Sequence, residues 1–335
     1  MARKGARYLR TTVGSLLAGL TQAERDGIHM IVFIPHTDPT VHPAYNESWL
    51  PNLVDEVLLY NLSRLELDHV KDLESDSGLH RKKGLFDYTY LLKACYSKGT
   101  SYIAMIEDDV ISMDGWYHRT MAGLKEARAR SAQDFLYLRM FPTEEYLGWN
   151  SEDWRTHMFW SLMAIVGAAL FLFTLRTMLP SVQLFLTPYV SLAICAILVP
   201  WIVVLVFAAG KVTVFPLPVG ITEMNKCGCC AQGLVYPHAK VPDLVKWFES
   251  ARIGFADMLT EQSANDHGEQ RYALVPSVLQ HIGSKSSKMD DFGHGAKYSK
   301  SVAEFMWNFG FELNDAKALR AEHELAAVTS AGFMN

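Results

Sequence analysis

Two long stretches without a single charge lie in the middle of the chain. Met158 to Leu175 reads MFWSLMAIVGAALFLFTL, and Leu184 to Gly210 follows after the short link RTMLPSVQ. The first is about the minimum length that spans a bilayer, and the second exceeds it. Whole-chain composition conceals them, because 20% of all residues are charged. Together they predict a transmembrane hairpin, with its link on one side and both flanking regions on the other. Pro188 and Pro200 are tolerable in a membrane helix. The alternative is a pair of core helices in a large soluble domain. The pattern speaks against a transporter, since two helices lacking intramembrane charge offer no evident pathway.

The hairpin is expected to interrupt one domain rather than separate two. Before it, strand-like and helix-like segments alternate: Tyr8 to Leu20 as a helix, Ile28 to Pro35 and Val54 to Tyr60 as strands, and Leu85 to Ser97 as a helix. That order suggests βαβ units and a doubly wound sheet. After it come short strands (Val212 to Phe215, Tyr272 to Val275) and an amphipathic helix around Val241 to Ala251. The expected division is residues 1–155, a hairpin over 156–210 (spans at about 158–175 and 184–210), and residues 211–335 completing the domain.

The richest chemistry is in SYIAMIEDDVISM, where the apolar run Tyr102 to Ile106 leads into Glu107, Asp108 and Asp109. The run reads as a buried parallel strand. Three consecutive carboxylates repel one another unless a cation sits among them, and in open α/β sheets the carboxyl ends of strands are where ligands bind. Hard oxygen ligands there suit Mg²⁺ or Mn²⁺ bridging to a diphosphate; the alternative is a solvated acidic turn. A net charge of −5 leaves no nucleic-acid footprint.

Cysteine usage points away from zinc. Cys227, Cys229 and Cys230 cluster in NKCGCCAQG without a second ligand set, so disulfides of undetermined pairing are expected there, with Cys95 as a core residue and Cys195 as a small apolar residue of a membrane span. Asn46-Glu47-Ser48 and Asn61-Leu62-Ser63 are glycosylation sequons, relevant only in a secretory lumen. The start MARKGARYLRTTVG is polar and basic, and the expectation is that an N-terminal anchor has been removed.

The segment Arg81 to Asp109, RKKGLFDYTYLLKACYSKGTSYIAMIEDD, resembles the donor-binding half of the N-acetylglucosaminyltransferase IV family. Arg7 to Leu20 followed by IVFIP is similar to that family's opening, and Pro276 to Gly283 with Ser286 and Ser287 to its closing segment. Tandem membrane helices are foreign to those N-glycan enzymes. With them, the chain resembles the post-GPI-attachment N-acetylgalactosaminyltransferase family, Golgi enzymes whose GT-A domain is interrupted by membrane helices.

That resemblance implies a GT-A-like, Rossmann-like mixed sheet in the Golgi membrane with the catalytic domain lumenal. It implies inverting transfer of GalNAc from UDP-GalNAc to a mannose of a GPI glycolipid or GPI-anchored protein, with Mn²⁺ or Mg²⁺. The competing readings are a GlcNAc transferase acting on N-glycans and an inactive, membrane-anchored glycan-binding protein.

It also assigns roles by residue. Asp109 is the expected metal ligand, with Asp108 or Glu107 holding donor ribose or sugar or positioning the ligand waters. His281, ending ALVPSVLQH, is either a second ligand or a structural histidine. Pro35, His36 and Thr37 follow the first strand, where a nucleotide base and ribose rest. Arg81, Lys82 and Lys83 form a basic run near a helix N-terminus, suited to a diphosphate or simply solvated, and Asp87 reaches uracil or ribose. Asp257 is the preferred catalytic base, with Glu261, one helical turn on, as its alternative. Trp149 and Tyr146 read as an interfacial aromatic belt or as a platform for the acceptor sugar. The Cys227 to Tyr236 loop, through Gly233, is expected to cover donor or acceptor.

Overall fold

The computed structural model describes residues 8–131, 134–143, 147–226, 228, 230–283 and 306–332. Tyr146, Cys227, Cys229, Ser286 and Ser287 lie outside the described residues. In chain order the first elements are α1 (Leu9–Leu17), α2 (Gln22–Asp26), β1 (Ile31–Phe33), α3 (Trp49–Leu53), β2 (Glu56–Leu58), α4 (Arg64–Ser75) and α5 (His80–Tyr96). Next come β3 (Tyr102–Ile106), β4 (Val110–Ser112), α6 (Trp116–Arg130) and β5 (Tyr137–Arg139). Then follow α7 (Trp154–Met178), α8 (Pro188–Ala193), α9 (Val199–Ala209) and α10 (Lys211–Val214). The last are β6 (Gly220–Glu223), β7 (Gly233–Pro237), α11 (Val241–Ala251), α12 (Ala256–His267), β8 (Arg271–Val275), β9 (Leu279–His281), α13 (Phe309–Glu312) and α14 (Ala316–Gly332).

The chain divides into two compact units. Met1–Thr143 and Pro218–Asn335 make one, and Glu144–Leu217 makes the other, wider at both ends than the hairpin expected from sequence.

The first unit is built on a five-stranded sheet of order β3-β7-β5-β8-β6. Only β5 and β8 run parallel; the other pairings are antiparallel. This corrects the doubly wound expectation, and β3 is an antiparallel edge strand, not a buried parallel one. The reason is visible in its side chains. Ile103 and Met105 are buried while Ala104 is exposed, and both faces of the strand border a cavity, so an apolar run persists without central burial. All five residues of β7, by contrast, are buried. Beside the main sheet, β1 pairs with β2 in parallel and β4 with β9 antiparallel.

Local signals set the helix starts. Ser63 and Glu66 form a capping box on α4, as do Thr21 and Glu24 on α2, each pair satisfying amides that helix geometry leaves open. Helix α1 fastens the acidic strand end: the Thr12 hydroxyl lies 2.8 Å from the carbonyls of both Asp108 and Val110, and Ser15 accepts from the Ser112 amide at 3.1 Å. Pro276, lacking an N–H, separates β8 from β9.

The second unit holds two helical spans, Ser151–Met178 and Pro188–Ala209, with 6% and 0% of their most apolar windows covered by the chain. Helix α7 has 25 residues, roughly 37 Å at about 1.5 Å each, which exceeds a hydrocarbon core of about 30 Å. Helices this long, apolar and uncovered suit a bilayer rather than water. Between α8 and α9 the backbone passes through π-helix from Ile194 to Leu198. Pro200 lacks an N–H and crowds the carbonyl of Ala196, and the wider register absorbs it. In the link, Thr187 caps α8 ahead of Pro188, and Arg176 donates to the Leu186 carbonyl. Val212 to Phe215 is not a strand: α10 continues helically after Gly210, with the Phe215 amide on the Lys211 carbonyl at 2.8 Å. Local hydrogen bonds there outweigh the β-branched composition.

Candidate functional site

A cavity of about 1160 Å³ opens within the first unit, lined from α1, β1, α5, β3, the acidic turn, the start of α12 and the end of β9. It is of the size that takes a nucleotide-sized ligand. Glu107, Asp108, Asp109, Pro35, His36, Arg81, Asp87, Asp257 and His281 all border it.

Asp109 and His281 come together although 172 residues separate them, His281 Nε2 lying 3.0 Å from Asp109 Oδ2. Strand pairing imposes this. Val110 stands opposite His281 in the β4–β9 ladder, and the Ile282 amide donates to the Asp109 carbonyl at 2.9 Å. Both side chains are buried, while Glu107 is half-buried and Asp108 exposed. Gly283 completes the wall: a Cβ there would stand 2.0 Å from Asp109 Oδ2 and 2.8 Å from His281 Nε2. Glycine therefore leaves open the space against these two ligand atoms.

The donor set fits a divalent cation. A carboxylate and an imidazole bind such ions at about 2.0–2.2 Å, so two ligand atoms 3.0 Å apart suit neighbouring coordination positions. The mixed oxygen and nitrogen set favours Mn²⁺ over Mg²⁺.

His36 and His42 enter from the loop after β1, their rings 6.2 Å apart. Burial pushes the His36 imidazole down to about 4, leaving it neutral near pH 7. Its Nε2 is buried with no hydrogen-bond partner among the described residues. Such an atom is costly unless a ligand or water meets it, which marks His36 as a group awaiting a polar partner. His42 was not anticipated from sequence; nothing distinguished it from an ordinary loop histidine. Arg81 lies 5.0 Å over the Phe255 ring and still borders the cavity.

Other anticipated residues have structural work. Lys83 is 2% exposed, and its ammonium donates to the Pro35 carbonyl at 2.9 Å, the Tyr60 hydroxyl at 2.7 Å and both Asp87 oxygens at 2.7 Å. It latches α5 to the β1 loop and has no direction left for a diphosphate. Asp87 borders the cavity but is held by Lys83 and Tyr60. Thr37 bonds Glu74 through its amide at 3.0 Å and hydroxyl at 2.6 Å, and does not line the cavity.

The two candidate bases separate clearly. Asp257, half-buried at the first turn of α12, borders the cavity and accepts from the Cys230 amide at 2.8 Å. Glu261 is 4% exposed and lies outside the cavity lining. Arg139 reaches it at 2.9 Å and Arg271 at 2.7 Å, and the Tyr137 hydroxyl donates to it as well. A carboxylate so enclosed cannot meet an acceptor hydroxyl, so the Glu261 alternative gives way to a buried ion pair.

Gly233 is also a core residue. A Cβ there would lie 2.5 Å from Leu279 Cδ1, and its carbonyl accepts from the Met140 amide at 2.8 Å. Trp149 belongs to the inserted unit and packs against His157, Phe207 and Phe215 within it. Cys230 is disulfide-bonded, whereas Cys95 and Cys195 are free. Burial pushes the Cys95 thiol up to about 11, which makes it unreactive.

A mixed α/β unit with an acidic strand end, a histidine laid beside it and a nucleotide-sized cavity has the parts of a group-transfer enzyme. A family model described as GPI-N-acetylgalactosamine transferase PGAP4 matches residues 1–280. The chain belongs to this family and is by that membership a glycosyltransferase. The match covers the first part of the first unit, the inserted helices and residues 218–280 of the second part, and ends immediately before His281. No curated protein and no solved structure matches the chain significantly.

Proposed function

We propose that this chain is an inverting, metal-dependent transferase of GT-A type, moving GalNAc from UDP-GalNAc to a mannose of the GPI glycan in the Golgi lumen. The observation that carries the reading is the Asp109–His281 pair on the wall of a nucleotide-sized cavity, in a chain whose family acts on GPI. Bound at that pair, Mn²⁺ would supply charge compensation for the departing diphosphate.

The chain's own residues supply the rest. His36, neutral and with its Nε2 unmet, offers a hydrogen bond to uracil or ribose. Arg81 brings a cation to the diphosphate, and Glu107 and Asp108 orient ribose, sugar or bound water. Asp257 accepts the proton of the acceptor hydroxyl as its oxygen bonds to the anomeric carbon and the bond to UDP breaks. Attack from the face opposite UDP inverts that centre. A membrane-held enzyme and a lipid-anchored acceptor share one surface, which raises their effective concentration. Exposed Asn46 and Asn61 are compatible with a lumenal first unit.

The test offers the detergent-purified chain UDP-GalNAc, UDP-GlcNAc or UDP-Gal, each with a GPI glycolipid and Mn²⁺, beside Asp109→Ala. Transfer from UDP-GalNAc alone is expected, abolished by chelation and in the variant, with a β-anomeric product by NMR. Transfer from another donor overturns the substrate. Retention of configuration overturns the role of Asp257.

A further inference from the structure

Outside the cavity, a second group of metal-binding side chains joins three distant elements. Glu24 on α2, His118 on α6 and His323 on α14 each present one ligand atom, all within 4.8 Å of one another. None of the three lines the cavity. We infer that Glu24, His118 and His323 form a second metal site, of the zinc class, which fastens α14 to the rest of the unit.

The arrangement has what such a site needs beyond proximity. His323 Nε2 lies 2.8 Å from Glu24 Oε2, and its Nδ1 faces Asp114 Oδ1 at 2.6 Å. His118 Nε2 faces Glu322 Oε1 at 3.0 Å, and its Nδ1 is buried with no hydrogen-bond partner among the described residues. The two rings lie 5.3 Å apart and only 22° from parallel. Glu24 is itself oriented by the Thr21 amide and hydroxyl at 2.9 and 3.0 Å. Each candidate ligand thus has an outer partner that fixes its orientation, and carboxylates on the far nitrogens of metal-bound histidines are a recurrent device.

Charge points the same way. Asp114, Glu322 and Glu324 face Arg119 and Arg320, with contacts of 2.5 Å from Arg119 to Glu322 and 3.1 Å from Arg320 to both Asp114 and Glu324, and Glu24 adds a fourth carboxylate beside His323. Four carboxylates against two guanidiniums leave a deficit that a divalent cation fills. Two imidazoles and one carboxylate are a donor set that zinc completes with a fourth ligand from water. An ion held by these side chains would displace the hydrogen bond between His323 and Glu24. With the His323 side chain 3% exposed, it would be largely shielded from solvent.

The test strips the purified chain of metal, loads it with Zn²⁺, desalts it and measures zinc per monomer. It compares wild type with His118→Gln, Glu24→Gln and, as a control for the other site, Asp109→Ala. About one equivalent is expected in wild type and Asp109→Ala, and none in the other two. Co²⁺ loading should give the visible bands of a four-coordinate ion in wild type and Asp109→Ala only. Chelation should lower the melting temperature of wild type by several degrees and leave His118→Gln unmoved. Both key variants keep the fold's other ties: His118→Gln spares the His323 clamp, and Gln at 24 preserves the capping box. Zinc content equal in wild type and His118→Gln overturns the inference, as does wild type that binds none or loss confined to Asp109→Ala.

Discussion

Two carboxylates in the first unit are almost equally buried, Asp109 at 2% and Glu261 at 4% exposure, yet their surroundings differ in kind. Glu261 is ringed by Arg139, Arg271 and Tyr137 and does not line the cavity. Asp109 meets the His281 imidazole, follows two further carboxylates and borders the cavity. A guanidinium cannot surrender its proton in a protein; an imidazole can, and can hold a metal instead. Burial alone therefore says little about function. The exchangeability of the partner says more.

The largest test of this contrast is Glu261→Gln. Removing that charge leaves two buried guanidiniums uncompensated, which should cost about 3–5 kcal/mol of stability, read by chemical denaturation. At Asp109 the pattern should reverse: Asp109→Asn should leave the denaturation midpoint close to wild type, while transfer activity falls by more than about a hundredfold, beyond what losing an outer partner costs. Equal stability losses in the two variants would dissolve the distinction.

Gly283→Ala sharpens it further. Its Cβ would stand within 2.0 Å of the Asp109 carboxylate, so Mn²⁺ affinity should fall roughly ten- to a hundredfold, measured by titrating activity against the metal. The smallest effect concerns pH. His36 titrates at about 4 when folded, because burial disfavours its charged form, against 6.5 as its ordinary value. Between those values the unfolded chain binds a proton that the folded chain does not, so stability falls as pH drops through that window. Melting temperatures between pH 7 and pH 4.5 should decline less in His36→Gln than in wild type.

Much of the frame was legible in sequence because it rests on local pattern. The two apolar spans, α5, α11 and β8 announce themselves by hydropathy or periodicity, and the EDD run by charge. Strand β7 did not: GLVYP begins with glycine, ends with proline and is buried on both faces, so it shows no alternation and reads as a loop. The job of Glu261 was hidden for another reason. Arg139 lies 122 residues away, and only the sheet brings it near. Lys83 failed as a donor ligand on similar grounds, since its partner Tyr60 lies in the loop after β2 and not in its own segment. Sequence reveals which groups carry chemistry; it does not reveal which of them are already taken.

The interruption of the sheet has a consequence for biosynthesis. Strand β5 precedes the inserted helices, yet its neighbours β7 and β8 both follow them, and β3 likewise pairs only with β7. As the ribosome extends the chain, β1 and β2 can pair at once, but β3, β4 and β5 emerge before any strand they pair with. They wait, edges open, while the two apolar helices of the inserted unit are synthesised. Completion of the main sheet thus waits on the insert, and a chain stalled there would leave a half-sheet with open, aggregation-prone edges.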